Sequence, residues 1–271
     1  MRENRIANFL KPHKTVPYTP WRGKSRWDLS PSRFAILSFG LSIFGLGDSL
    51  LIQGNVGNAP WTVFAQGLTL KTDLSIGWAT FIISVCVLLI WIPLKEKPGF
   101  GTLANIVLIA TFIEIGTKIF PLQHSFIRGV IFDLIGIALV GIGSALYITC
   151  GLGPGPRDGA MTGIHYRTGI RVGRVRMGIE ITVLCIGFLL GGTVGIGTAL
   201  FALFIGQSVA ISLGILARLT RQKSTSPLAL NHLPSVCEPS FHTGSQPPPI
   251  TKLGRKSCSI VTSKYLSADQ L

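Results

Sequence analysis

The sequence predicts an all-α fold: a polytopic membrane helix bundle of six spans, arranged as two inverted three-span repeats. Hydrophobic residues make up 47% of the 271 and charged residues only 13%, about half of the roughly 25% charge in a soluble domain. A hydrocarbon core about 30 Å thick needs about 20 helical residues per crossing. Six segments reach or approach that length, at residues 34–53, 76–94, 101–120, 129–149, 177–192 and 197–216. The fifth is the shortest, and it crosses only if its helix takes in Arg176 or continues through the Gly-rich stretch to Ile196.

The chain also repeats itself. Residues 33–120 laid without a gap over 129–216, an offset of 96, match at 21 of 88 positions, and eight of those matches are glycine. Shared hydrophobicity produces chance matches of Leu and Ile. It does not produce an aligned series such as Gly40/Gly136, Gly47/Gly143, Gly57/Gly153 and Gly101/Gly197, so duplication is the better reading. Each copy reads as span, Gly/Pro loop, short amphipathic segment, span, tight turn, span. Three crossings is an odd number, so the second copy enters the membrane upside down, the plan of many transporters.

Charge fixes the orientation. With six spans, 22 of the 25 Lys and Arg fall on one face and 3 on the other, which puts both termini in the cytoplasm of a bacterial inner membrane. A net charge of +14 would point to nucleic acid in a soluble protein. Distributed this way, it reads as topology determinants and contacts for anionic lipid, with no nucleic-acid partner. The homologous loops agree, since the first holds only Lys71 while its counterpart, from Gly151 to Arg176, holds five arginines.

The spans are flanked by two polar segments. Residues 1–32 form a basic cytoplasmic arm in which Trp21 and Trp27 sit among Arg22, Lys24 and Arg26, a composition suited to the interface. It has no apolar run of the kind a cleavable signal peptide needs. The transmembrane domain covers 33–219, and residues 220–271, with three successive prolines at 247–249, read as a disordered cytoplasmic tail. Five cysteines without a Cys-x-x-Cys pair suggest neither a disulfide framework nor a metal site. A lone His165 without ligands at suitable spacing adds none, and no cofactor is expected.

The densest chemical signal is the loop Gly151-Leu152-Gly153-Pro154-Gly155-Pro156-Arg157-Asp158. Its prolines stop the fourth span, and Asp158 is placed to cap a short helix running toward Arg167. The first repeat offers the related Gly57-Asn58-Ala59-Pro60-Trp61-Thr62, with Thr62 in the capping position. A broken helix followed by a half-helix whose amino end faces a cavity is one way transporters make a site. The alternative is an ordinary turn at the membrane surface. On the first view Asp158, Arg157, Gly153, Gly155, Pro60 and Thr62 are the candidate solute-binding residues.

The same residues carry a resemblance. The Gly-x-Gly-Pro loop followed by Asp, the Arg-rich stretch, Arg176-Met177-Gly178-Ile179-Glu180, Leu190-Gly191-Gly192 and Gly195-Ile196-Gly197-Thr198 resemble the YczE/YyaS/YitT-like family of bacterial integral membrane proteins. The resemblance runs over residues 33–219 and is strongest from 151 to 206. It implies a multi-span inner-membrane protein of unassigned activity. In the first repeat the family's loop reads more like Gly-x-Gly-Pro-Trp-Asp, and Ala59 and Thr62 depart from it.

Four acids fall within the predicted spans, Asp48, Glu114, Asp133 and Glu180, and each would cost about 2.5–3.5 kcal/mol at the centre of an isolated helix. Their positions toward span ends let several reach headgroups or water. Arg176 precedes Glu180 by four residues and can pair with it on one helical face, as a structural ion pair or as part of a proton or cation relay. Gly45-Leu46-Gly47-Asp48 matches in letters an intramembrane aspartyl protease motif, but its Tyr-Asp partner is absent and no enzymatic activity is expected. Gly187 with Gly191, and the glycine pairs 40/47 and 136/143, read as helix-packing positions. Arg167, Arg171 and Arg174 would form one solvated stripe.

The leading functional expectation is a small-solute or ion transporter, or a subunit of one, with a midplane site where the two Gly/Pro loops approach each other. Its partners are then an unidentified small solute and the lipid bilayer, and the plan leaves room for a homo-oligomer. The rival expectation is a non-transporting scaffold or regulator that recruits a cytoplasmic partner through the basic arm and loops.

Overall fold

A computed structural model of the chain describes residues 16–224, with the side chains of 16–220. Those residues form eight α-helices and no strand: α1 (Pro31–Gly54), α2 (Pro60–Lys71), α3 (Ile76–Leu94), α4 (Phe100–Ile119), α5 (Phe126–Thr149), α6 (Pro156–Thr168), α7 (Val172–Leu189) and α8 (Ile196–Ser224). Local chemistry sets the boundaries. Ser30 caps α1 by accepting from the Arg33 N–H at 3.4 Å, and Ser75 caps α3 by accepting from Trp78 at 3.5 Å. Pro31, Pro60 and Pro156 occupy the first turn of their helices, where a missing N–H costs nothing. The predicted disordered tail lies outside the described residues.

Five helices are long and apolar enough to cross a membrane: α1, α3, α4, α5 and residues Ile196–Thr220 of α8. The predicted sixth span coincides with α7, which begins five residues earlier than expected, at Val172, and takes in Arg174, Arg176 and Glu180. With those three charges it is less apolar than the other long helices. Large hydrophobic side chains point outward all around the bundle, with Ile92, Ile127 and Leu203 each at least 70% exposed. A soluble monomer does not expose apolar surface on that scale, so a bilayer is the solvent these faces fit.

The helices fall into two sets of four in register with the sequence repeat. Pro60, Ile76 and Phe100 open α2, α3 and α4, and Pro156, Val172 and Ile196, each 96 residues later, open α6, α7 and α8. Packing joins the sets, since α1 lies against α5 and α2 meets α7 as α6 meets α3, while within each set α1 packs on α4 as α5 packs on α8. Hydrogen bonds repeat the pattern. The Gly101 N–H donates to Leu152 O at 2.9 Å, and the equivalent Gly197 N–H donates to Val56 O at 2.9 Å. Thr102 Oγ1 accepts from Gly99 N at 3.1 Å, as Thr198 Oγ1 accepts from Gly195 N at 3.3 Å.

The α1/α5 crossing depends on the predicted glycines. A methyl group added to Gly47 would lie 2.9 Å from Gly136 O, and one added to Gly40 would lie 3.2 Å from Gly143 O. Backbone meets backbone there, as expected where membrane helices associate through small residues. Gly187 is likewise pressed against Val63 and Phe64 of α2. Gly191 is not a packing position: it lies beyond the end of α7 with φ +100° and serves the turn. The predicted Arg stripe is also divided, because Gly169, at φ +69°, ends α6 before Arg171 and Arg174 begin α7.

Residues 16–30 of the basic arm close over the α5 carboxyl end. Thr19 Oγ1 donates to Thr149 O at 3.0 Å, and Gly23 N donates to Cys150 O at 2.8 Å. Within the arm, the Lys24 backbone N–H, 2.9 Å from Asp28 Oδ2, holds that carboxyl below its ordinary pKa against the opposing effect of burial, and Arg33, paired to Asp28 at 2.8 Å, adds to the shift. Two apolar clusters result, one of Trp61, Ile83, Val87 and Trp91 with their neighbours and one of Leu37, Leu41, Ile109 and Tyr147 with theirs.

Candidate binding cavity between the two short helices

A cavity of about 170 Å³ has walls drawn from both clusters. The amino ends of α2 and α6 supply Pro60 and Trp61 on one side and Gly155, Pro156, Arg157 and Asp158 on the other. Gly57 and Gly153 take φ values of +130° and +116°, a conformation suited to glycine that lets each chain reverse from a long helix into a short one. The two short helices meet at their tips, where the Arg157 guanidinium carbon lies 4.9 Å from the Trp61 ring centroid, within cation–π range.

The lining follows the repeat. Phe44 and Val140, Asp48 and Ser144, Trp61 and Arg157, Ser84 and Glu180, Asn105 and Phe201, and Ile109 and Ile205 are pairs 96 residues apart, and both members of every pair line the cavity. Equivalent backbone positions thus surround one space with unequal chemistry. The second half brings Arg157, Arg176 and Glu180 where the first has Trp61, Thr80 and Ser84.

Sequence reasoning about the acids needs two corrections. Asp48 does not reach headgroups: it is only 2% exposed, lines the cavity, and its Oδ2 is buried with no hydrogen-bond partner among the described residues. Asp133 does not reach water either, being 0% exposed with both carboxylate oxygens unpartnered among the described residues. It sits between the end of α1 and the start of α8, against Gly54 and Gly197. Glu114 serves structure. Its Oε2 accepts from the Gly77 N–H at 3.1 Å, joining α3 to α4, while Oε1 pairs with Lys118 at 2.9 Å. Arg176 and Glu180 form the expected i,i+4 pair at 2.9 Å, and both face the cavity.

The capping roles expected of Asp158 and Thr62 are not observed. Gly155 and Ala59 are the N-caps, because Pro156 and Pro60 fix the first helical position and leave Asp158 and Thr62 at the third. Asp158 instead accepts a hydrogen bond from Tyr147 Oη at 2.7 Å. Tyr147, Asp158 and Ile148 also border a neighbouring pocket beside Arg26, so this bond stands in the wall between that pocket and the central cavity. Gly153 belongs to the neighbouring pocket, and Thr62 is buried outside both.

Of the expected site residues, Pro60, Gly155, Arg157 and Asp158 come together in the cavity. Tyr147, Trp61, Ser84, Asn105 and Ser144 are additions. Two of them were within reach of the sequence, since moving Asp48 and Glu180 by the 96-residue offset lands on Ser144 and Ser84. Nothing in the sequence marks Tyr147, whose role depends on the three-dimensional approach of α5 and α6.

Comparison with known proteins agrees with a membrane assignment. Residues 31–213 match the family described as "Family of unknown function (DUF6198)". An "Uncharacterized protein" of Haemophilus influenzae is 48% identical over 206 residues, covering 76% of this chain and 94% of that one. The "Uncharacterized membrane protein YczE" of Bacillus subtilis is 35% identical over 183 residues, 67% of this chain and 85% of its own. "Uncharacterized protein YyaS" of the same organism is 26% identical over 191 residues, 69% and 94% of the two chains. No solved structure matches the chain. A family match that begins with α1, spans both sets of helices and reaches into α8, together with relatives that include YczE, identifies this chain as an integral membrane protein of the DUF6198, YczE-like family.

Proposed function

We propose that the protein is a small-solute transporter, or the solute-binding subunit of one. On this reading it is a non-enzymatic six-span bundle of inverted repeats in a bacterial inner membrane. Both termini are cytoplasmic, and the basic arm and loops contact anionic lipid. The observation that carries the proposal is the central cavity lined by equivalent residues of the two halves at the tips of two broken-helix segments, where inverted-repeat transporters place their sites. A buried acid with an oxygen unpartnered among the described residues and a guanidinium in the same walls support it, since intramembrane charge is retained at a cost.

Unequal seams supply a further argument. A methyl group on Gly77 would lie 2.8 Å from Ala110 O, so α3 and α4 are closed on each other there. The equivalent Gly173 and Gly206, on α7 and α8, would each meet nothing within 4 Å. One half closed and its counterpart open is the asymmetry expected of a single state in an alternating cycle.

The test is uptake from a bacterial metabolite extract into proteoliposomes, read by mass spectrometry, against a Ser144→Trp variant that fills the cavity and still elutes as a folded particle. Accumulation of at least one metabolite by the wild type alone supports transport. Identical, background-level uptake by both contradicts it and favours the scaffold.

A further inference from the structure

We infer that the central cavity binds a small zwitterion, a solute carrying an ammonium and a carboxylate a few bonds apart. The inference rests on the cavity of the transport reading and names its substrate class. Two opposite charges line the same space without forming an ion pair. Asp48, from α1, is only 2% exposed, and its buried Oδ2 has no partner among the described residues. Arg157, from the first turn of α6, makes no salt bridge or hydrogen bond among the described residues and is held over the Trp61 face at 4.9 Å. Its N–H donors remain available to a ligand.

The other charged groups in the walls already have partners. Glu180 is paired with Arg176 at 2.9 Å, and Asp158, whose charge the neutral Tyr147 hydroxyl does not cancel, has a hydrogen bond from that hydroxyl at 2.7 Å. What remains without a hydrogen-bond partner among the described residues is one carboxylate oxygen and one guanidinium fork, which form no direct ion pair with each other. A free anion would satisfy Arg157 and leave Asp48 uncompensated. A free cation would do the reverse. One molecule bearing both groups satisfies the two together, and a buried charge demands such compensation.

Two further features fit this class. The amino ends of α2 and α6 both reach the cavity, and the positive ends of their dipoles favour a carboxylate there. At about 170 Å³ the space lies below the roughly 300–1,000 Å³ typical of pockets for drug-sized ligands. Phe44, Ile109 and Ile205 supply apolar wall against which a short aliphatic body fits.

The experiment is a thermal-shift and calorimetric titration of the purified full chain in detergent. Its probes are glycine, L-alanine, L-serine and L-proline, set against methylamine, ethylamine, acetate and propionate at the same concentrations. We expect at least one amino acid to raise the unfolding midpoint saturably while its amine and acid fragments do not. Asp48→Asn and Arg157→Gln should each weaken that binding about tenfold or more, as expected for a lost hydrogen bond to a charged group. Glu114→Gln, which touches no cavity wall, should bind as wild type. If a variant does not fold, the wild-type contrast between zwitterion and fragments still decides. Full binding by an amine alone, by an acid alone, or by no amino acid overturns the inference. If the metabolite that accumulates in proteoliposomes is not a zwitterion, this inference fails and transport stands.

Discussion

At the scale of single residues, the bond between Tyr147 and Asp158 is the contact whose removal reports most on the cavity wall. Tyr147→Phe and Asp158→Ala should each lower the melting temperature, and the double variant should fall no further than the worse single one. The coupling should be about 0.5–1.5 kcal/mol, the ordinary net value of a hydrogen bond, because Asp158 is exposed and solvent screens its charge. Additive losses would show that the two side chains act separately. Because Asp158 is not the cap, Asp158→Asn should retain helix α6 but weaken the Tyr147 contact. Asp133 makes the opposite prediction. Its two oxygens, unpartnered among the described residues, oppose folding, and its repeat equivalent is the fully buried Leu37. Asp133→Asn should therefore melt at or above the wild type, and a clear drop would reveal a partner for the carboxylate.

At the scale of helices, glycine identity separates closed seams from the open one. Gly47→Val and Gly136→Val should block folding, since both sites face backbone across the α1/α5 crossing at under 3 Å from an added methyl group. Gly178→Ala and Gly206→Ala meet open space and should stabilise by about 0.5–1 kcal/mol through helix propensity. A cysteine pair at Gly173 and Gly206, in a background free of other cysteines, should form a disulfide on oxidation if α7 and α8 close as α3 and α4 do. Persistent failure to cross-link would mean that the seam stays open. Most of these elements were legible beforehand: the apolar spans, the 96-residue offset and the Gly/Pro loops placed every helix start but α7's within three residues. What the sequence left out depends on the third dimension. Pro60 and Pro156 moved the caps to Ala59 and Gly155, Gly169 cut the Arg stripe in two, and acids that looked near span ends were enclosed by glycine-tight crossings.

At the scale of the whole molecule, the 22-to-3 partition of basic residues predicts which surface each loop meets. A cysteine replacing His124 should react with an impermeant maleimide in intact cells, and one replacing Lys97 only after lysis; the reverse pattern would invert the topology. The proposal as a whole stands on one claim, that the central cavity communicates with both sides of the membrane in turn. Ser84 is half of a repeat pair lining that cavity and carries no charge. The direct measurement is maleimide labelling of Ser84→Cys in a cysteine-free background, from outside in intact cells and from the cytoplasmic face in inverted vesicles. The proposal predicts labelling from each side in separate experiments. Labelling from one side only, or from neither, would contradict it.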